Sequence, residues 1–474
     1  MKQRFAWRLA PAPFLLLAAS GCVEDQLSLP LPHPSVAPAA QPAASLKVDA
    51  SQIRPMYDHR LLAVELPSVV RVAMARNIDI KGAQQTVEAS RGVYESSVGA
   101  IFPSLTPNIT ALGIQGAISS SSGLAVATLT HFFPAGVIQW IINPGQVAYN
   151  VIASKKRLEA SEQQDRAVVL ETTRLAAVQY YDLALNQAQV SVAWQAIKEA
   201  EELLRIERPM LKAGTALPAD ELRAEADLAL KQQNLLKAVN GFYDASVALT
   251  VTLDLDPTVM LVPLAGTMKQ AMLVREDLPI DEMLVTAVRY RPDLEAVRAL
   301  LAAADADKGS TIWGGLGPQA QAAGVLAPRP PAGRLVDTEY RQPIYNTTGG
   351  FNWSAATFGR IKSATANVDI AALNVDRQLD QVQAAVVTAH QASLTAAKLI
   401  PKAKQEVTSA EEALRLTRQN LKVGTGLIID VLLAEDTADQ ARLHYATAVI
   451  SYNQSQINLL AALGLIDSMN VDGR

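Results

Sequence analysis

The sequence predicts an α plus transmembrane-β chain, in which long coiled-coil helices are joined to membrane-type strands and the whole unit occurs twice. Three observations carry this. The chain matches itself at a constant offset of 210 residues, hydrophobic residues recur in steps of seven, and residues 96–154 contain no Asp, Glu, Lys or Arg.

The N-terminus is read first because it sets the compartment. Lys2, Arg4 and Arg8 precede an apolar stretch through Phe14–Ala19, the pattern of a secretory signal. It ends in Ala19-Ser20-Gly21-Cys22, which resembles a bacterial lipobox, so residues 1–21 are expected to be removed and Cys22, the only cysteine, to carry lipid. Val23 stands where inner-membrane lipoproteins often carry Asp, which favours the outer membrane. Residues 22–60 are rich in Pro and Ala, a composition that propagates neither helix nor central strand, and are read as a tether.

The duplication defines the body. Glu201-Glu202 pairs with Glu411-Glu412, Leu204-Arg205 with Leu414-Arg415, Arg208 with Arg418 and Leu211-Lys212 with Leu421-Lys422. Gly214-Thr215 then matches Gly424-Thr425, Leu217 matches Leu427, Asp220 matches Asp430, and Ala224-Glu225 matches Ala434-Glu435. A weaker copy links Ala73…Asp79-Ile80 to Ala287…Asp293-Leu294. Residues 61–265 and 266–466 are therefore two structural repeats, with 467–474 a short tail.

Heptads run along both repeats. Val169, Ala176, Leu183, Val190, Ile197, Leu204 and Leu211 correspond to Leu379, Val386, Ser393, Ile400, Val407, Leu414 and Leu421, with a polar break at Ser393. Returning arms follow at Leu228, Leu235, Phe242 and Leu249 and at Val431, Ala438, Tyr445, Tyr452 and Leu459. Seven-residue steps predict coiled-coil packing over about 146–256 and about 360–464. With neither Gly nor Pro from Gln146 to Arg208, one helix of about 60 residues and roughly 90 Å is permitted. Such lengths pack along a rod or tube rather than in a compact core.

Between the arms lie the uncharged blocks. Leu105, Ile109 and Ala111 alternate with Thr106, Asn108 and Thr110, and Ala125, Ala127, Leu129 and Phe133 form a second alternating set, which suits strands with lipid on one face and a wet lumen on the other. Strands are expected over about 104–142 and, in the second repeat, within about 311–358, around a charged loop with Arg329, Arg334, Asp337, Glu339 and Arg341. Four strands cannot close a barrel, and an open edge in lipid leaves backbone groups unsatisfied, so several chains must share one barrel.

The duplicated strand-and-helix unit, the paired Leu-Lys-x-Gly-Thr-x-Leu-x-x-Asp turns and the Phe358-Gly359-Arg360 step together resemble the TolC-like outer-membrane efflux factors, in their lipoprotein branch. The resemblance implies a homotrimer with a twelve-stranded outer-membrane barrel, continued by an α-helical barrel across the periplasm. It implies a passive exit duct of a tripartite efflux or secretion system, fed by an inner-membrane pump through a periplasmic membrane-fusion adaptor. Lys212, Gly214, Thr215 and Leu217 with Lys422, Gly424, Thr425 and Leu427 would be the adaptor-docking tips. Asp220 and Asp430 would ring the periplasmic gate; their capping of helix starts is the other reading of the same residues. Gly426, Leu421 and Leu433 depart from the family pattern around that gate.

No catalytic constellation accompanies these features. His33, His59, His131, His390 and His444 show no metal-ligand spacing, and Trp313-Gly314-Gly315-Leu316-Gly317-Pro318 lacks the Lys and hydroxyl of a phosphate loop and reads as a turn into a strand. A formal charge of −4 without basic clusters argues against nucleic acid as a partner. No cofactor beyond the lipid is expected. A non-transporting coiled-coil lipoprotein of the cell envelope would explain the lipobox and heptads, but not the uncharged strands. Metabolic labelling with palmitate tests the first step: wild type is expected to take up label and Cys22→Ser to lose it, and an unlabelled wild type would remove the lipobox reading.

Overall fold

The computed structural model describes residues 60–120, 123–212, 214, 216–264, 269–326, 334–335, 338–339, 345–351 and 353–466. The signal peptide, Cys22 and the tether up to residue 59 lie outside the described residues.

The first repeat opens with strand β1 (Arg60–Val64), helix α1 (Leu66–Arg76) and helix α2 (Ile78–Gly99). Strands β2 (Ser104–Ser120) and β3 (Gly123–Ile142) follow, then the long helix α3 (Pro144–Lys212), its return α4 (Pro218–Thr252) and strand β4 (Val259–Pro263). The second repeat has the same order: α5 (Ile280–Tyr290), α6 (Pro292–Leu316), β5 (Pro318–Leu326), a small hairpin of β6 (Arg334–Leu335) and β7 (Thr338–Glu339), β8 (Tyr345–Phe351), α7 (Ala356–Lys422) and α8 (Ile428–Ala462). Helix α4 and helix α8 begin and end 210 residues apart, so the sequence duplication is a structural one.

Strand order in the main sheet is β2-β3-β5-β8, antiparallel throughout. Strands of the two repeats meet at β3 and β5, where Gly136 pairs with Leu326 and Ile142 with Ala320. Edges β2 and β8 have no neighbour among the described residues. Strand β1 pairs in parallel with β4, from Arg60 opposite Val259 to Val64 opposite Pro263, and so fastens the start of the first repeat to its end.

Helix α3 has 69 residues and α7 has 67, roughly 100 Å each at 1.5 Å per residue. Helix α3 continues through Pro209 to Lys212, beyond the Arg208 limit set by the Pro-free stretch. A proline removes one backbone donor and packs against the preceding turn, and in so long a helix packing along both flanks holds the remaining turns. The heptad rows face successive hydrophobic clusters: Ala176, Leu183, Val190, Phe242, Leu249, Val386 and Leu459 belong to one, and Leu204, Leu414, Leu421, Val431 and Ala438 to a second nearer the turns. Ser393, the polar break in the heptad, is satisfied. Its hydroxyl accepts from Gln456 Nε2 at 2.7 Å, and Gln456 Oε1 accepts from the Leu273 and Val274 amides.

One expectation is corrected. Residues 311–316, read as the start of a strand, form the last turns of α6, and the Trp313–Leu316 run is helix rather than a turn. Gly315 is buried where α6 lies between α3 and α7, while Trp313 and Leu316 are exposed, so an uncharged run here is helix and not strand. Helix α7 likewise starts at Ala356, so Phe358-Gly359-Arg360 sits in its first turns rather than at the strand end. Of the loop charges, Arg334 and Glu339 are opposed in the β6–β7 hairpin, and Arg329, Asp337 and Arg341 lie outside the described residues.

At the strand-to-helix junction Asn143 caps α3, accepting the Gln146 amide at 3.0 Å and donating to the Trp313 carbonyl at 2.9 Å. The indole of Trp313 lies directly over Gly145, where a Cβ would overlap the ring. Gly145→Val is therefore expected to destabilise the fold by about 1–3 kcal/mol, as overpacking does. Thermal unfolding followed by circular dichroism checks it, and an unchanged melting temperature would show that Trp313 moves aside at no cost.

Candidate functional site

Two tight turns close the long helical pairs. After Lys212 and Lys422, the last residues of α3 and α7, the chain enters the left-handed region at Gly214 (φ +76°) and Gly424 (φ +79°). A side chain there strains the backbone by about 1–2 kcal/mol, which is the physical reason both copies carry glycine. The Gly214 amide donates to Leu211 O and the Gly424 amide to Leu421 O, each at 3.0 Å, and Ala216 and Gly426 reach back to Met210 O and Asn420 O. These bonds cap helix carbonyls that would otherwise lack partners. Thr425 adds a hydroxyl bond to Asn420 O at 3.3 Å; Thr215 lies outside the described residues.

Leu217 and Leu427 follow, both 66% exposed, so each turn presents a cationic and an apolar side chain side by side. Asp220 stands at the third residue of α4, where its carboxylate accepts the Leu217 amide at 3.4 Å and pairs with Arg223 at 2.9 Å. That is capping work, done within one chain. Asp430 holds the equivalent place in α8 and is exposed, with Leu433 in place of the arginine. The chain thus places Lys212, Gly214 and Leu217 at one turn and Lys422, Gly424, Thr425 and Leu427 at the other, with Asp220 and Asp430 in the first turn of the helix that follows.

Behind the turns lies a feature that the sequence reading did not single out. Lys231 of α4, 5% exposed, reaches into α8 and bonds Asp436 at 2.5 Å and Asp439 at 2.9 Å. Glu199 of α3 receives Arg418 of α7 and Arg442 of α8, both at 3.1 Å, and Arg418 also bonds Glu435 at 2.8 Å. Four helices from both repeats meet in this ionic cluster. Burial pushes the Glu435 carboxyl up to about 7, against the ionised form that Arg418 favours. Burial also raises Asp439 and Asp227, and raises Glu207 with help from nearby Asp220. For Lys231 burial alone would lower the ammonium, but the hydrogen bonds to Asp436 and Asp439 outweigh it and hold the group above its usual value. One oxygen each of Glu435, Asp227 and Glu207 is buried without a hydrogen-bond partner.

The model of a family described as "Outer membrane efflux protein" matches residues 69–253 and 334–465, which include both helical pairs and both turns. The chain belongs to that family. Membership upholds the resemblance drawn from the paired turns and makes this an outer-membrane protein of efflux. Solved structures with the same fold include the outer-membrane channel OprN, 18% identical, TM-score 0.69, covering 91% of this chain and 99% of that one. The CmeC outer membrane channel of Campylobacter jejuni is 17% identical, TM-score 0.70, covering 92% and 97%. VceC of Vibrio cholerae is 16% identical, TM-score 0.72, covering 84% and 96%. No curated protein sequence matches the chain.

For this efflux family member, the tips were legible as a repeated motif and the ionic cluster was not. Its trace is nonetheless periodic: Ile428, Glu435, Arg442, Val449 and Gln456 form a second seven-residue row on α8, and all five are buried. Charged residues in a heptad seam are the signal. Because the folded Glu435 titrates at about 7 against 4.5 for the free side chain, its contribution to stability is complete below pH 4.5 and is lost as pH rises to 7. The half-buried Asp227 and Asp439 and the buried Glu207 act with the same sign. Glu435→Gln is expected to raise the melting temperature at pH 8 and to flatten its pH dependence; a variant with the wild-type profile would mean that Glu435 stays ionised.

Proposed function

We propose that three copies of this chain close one twelve-stranded barrel in the outer membrane, continued by a helical tube through the periplasm. The assembly is a passive exit duct for substrates delivered by an inner-membrane pump through a periplasmic adaptor. The observation that carries this reading is the sheet with two open edges: β2 and β8 each present unpaired backbone groups, which hydrocarbon does not tolerate. Strands of 17 and 20 residues exceed the roughly 9–11 needed to span a membrane. Two chains would give eight strands, an interior filled by side chains, whereas twelve leave room for a lumen. A purely structural lipoprotein would need no such sheet.

The helices support the same assembly. On α4, Leu236 (60%), Val247 (43%) and Val251 (62%) are exposed, while their repeats on α8, Ala446 (0%), Ile457 (0%) and Ala461 (2%), are covered. Helix α3 covers α8 within the chain, and α7 of the next copy would cover α4 in the same way.

At the tips, Lys212, Gly214, Thr215 and Leu217 with Lys422, Gly424, Thr425 and Leu427 form the adaptor-docking surface. Its exposed leucines offer apolar contact and its lysines attract acidic partner groups. Three-fold symmetry gathers up to six carboxylates from Asp220 and Asp430 behind the tips, and such a ring favours cations. Lipid on Cys22 adds a second anchor to that of the barrel. Single-channel recording across a salt gradient tests the reading: wild type is expected to conduct with cation preference, reduced in Asp220→Ala/Asp430→Ala. Equal reversal potentials would make these aspartates caps alone, and a wild type that never conducts would sink the duct.

A further inference from the structure

One side of α8 is closed off along its second half. There Asn453 accepts the Ala271 amide at 2.9 Å, Gln456 accepts the Leu273 and Val274 amides at 3.0 and 2.8 Å, and Ile450 and Ile457 are buried in the core shared with β4 and α5. The other side carries two rows in steps of seven. Asp430, Thr437, His444 and Ser451 form the first, and Leu433, Gln440, Thr447 and Gln454 the second; all are exposed as far as Thr447. Ser451 and Gln454, where the rows reach the end of the helix, line a recess of about 1060 Å³ shared with Gln164 and Glu171 of α3 and Thr388 of α7. Rows in steps of seven keep to one side of a coiled coil, so Asp430 and Leu433 face the same way as this recess, away from β4 and α5. Seven of these eight residues are polar. The eighth, Leu433, is 68% exposed, and its counterpart in the first repeat is Arg223, which bonds Asp220 at 2.9 Å.

We propose that Leu433 of three copies forms an apolar ring just inside the mouth of the duct, which keeps water and ions out of the resting channel and admits cargo that presents apolar surface. This rests on the trimeric reading above. In that assembly the side of α8 turned away from β4 and α5 is the inner wall. Leu433 follows Asp430 by three residues, about 4.5 Å along the helix axis, so a carboxylate ring stands at the mouth and the leucine ring directly behind it. Water between apolar side chains in a narrow constriction finds no hydrogen-bond partners and withdraws, and a hydrated ion would have to shed its shell to follow. Apolar cargo replaces that water by covering the leucines, which favours its entry. The acidic ring therefore draws cations to the mouth, and the leucine ring decides which of them pass.

Replacements that separate polarity from size test this in full-length protein, with trimers verified by electrophoresis and currents recorded in planar bilayers. Leu433→Asn, close to leucine in volume but polar, is expected to raise the current between openings on the order of tenfold, whereas Leu433→Ile keeps the wild-type level. A cysteine pair gives the second readout, because thiolates gathered on one axis hold a soft divalent cation together. Micromolar cadmium is expected to block Leu433→Cys channels until a chelator is added, and to leave Ile429→Cys channels, altered at an exposed position off the two rows, unaffected. An Asn variant as tight as wild type, an Ile variant as leaky as Asn, or cadmium that blocks neither cysteine variant or both alike would overturn the proposal while trimers persist. Loss of the trimer in wild type itself would overturn the trimeric reading, and the ring with it.

Discussion

A backbone amide or carbonyl without a partner in hydrocarbon costs several kcal/mol, and β2 and β8 each carry a row of them along the outer edges of a four-stranded sheet. Everything else in the chain is arranged around that deficit. In the proposed trimer the strands are satisfied by the opposite edges of other copies, which makes the chain one sector of a ring. Its helices follow suit: α3 covers α8 within the chain, and α4 waits for an equivalent cover.

Duplication is what makes such a sector economical in sequence. Two copies of a strand-pair and helix-pair unit meet at β3–β5 in the sheet and at α3–α8 below it. A ring of identical repeats would have identical seams. The charges break this symmetry. Glu199, Lys231, Arg418, Glu435, Asp436, Asp439 and Arg442 gather at one seam; a shift of 210 residues keeps Arg208 and Glu225 and puts Ser, Gln or Ala at the other five positions. Buried ion pairs add little net stability over apolar residues, but they fix register and partner. Here they join α3 and α4 of the first repeat to α7 and α8 of the second.

Much of this was legible in the sequence because it is periodic. The offset of 210, the heptads and the Gly-Thr turns each repeat, and the structure returns them as equal helices, successive hydrophobic clusters and two glycines at nearly the same positive φ. What escaped does not recur from one repeat to the other. The uncharged residues 311–316 looked like strand because absence of charge does not distinguish a strand from the end of a helix packed between α3 and α7. The ionic cluster escaped because its members are far apart along the chain and meet only through tertiary packing. Asp220 had two readings, gate residue and helix cap, and within one chain it makes the bonds of a cap, to the Leu217 amide and Arg223.

The central claim is that the chain is one third of a closed ring. Native mass spectrometry of full-length protein released from detergent micelles tests it most directly. The account predicts a particle of three chains, each heavier than the processed polypeptide by its lipid. A particle of one or two chains that retains the fold would contradict it, because the edges of β2 and β8 would then be satisfied in some other way.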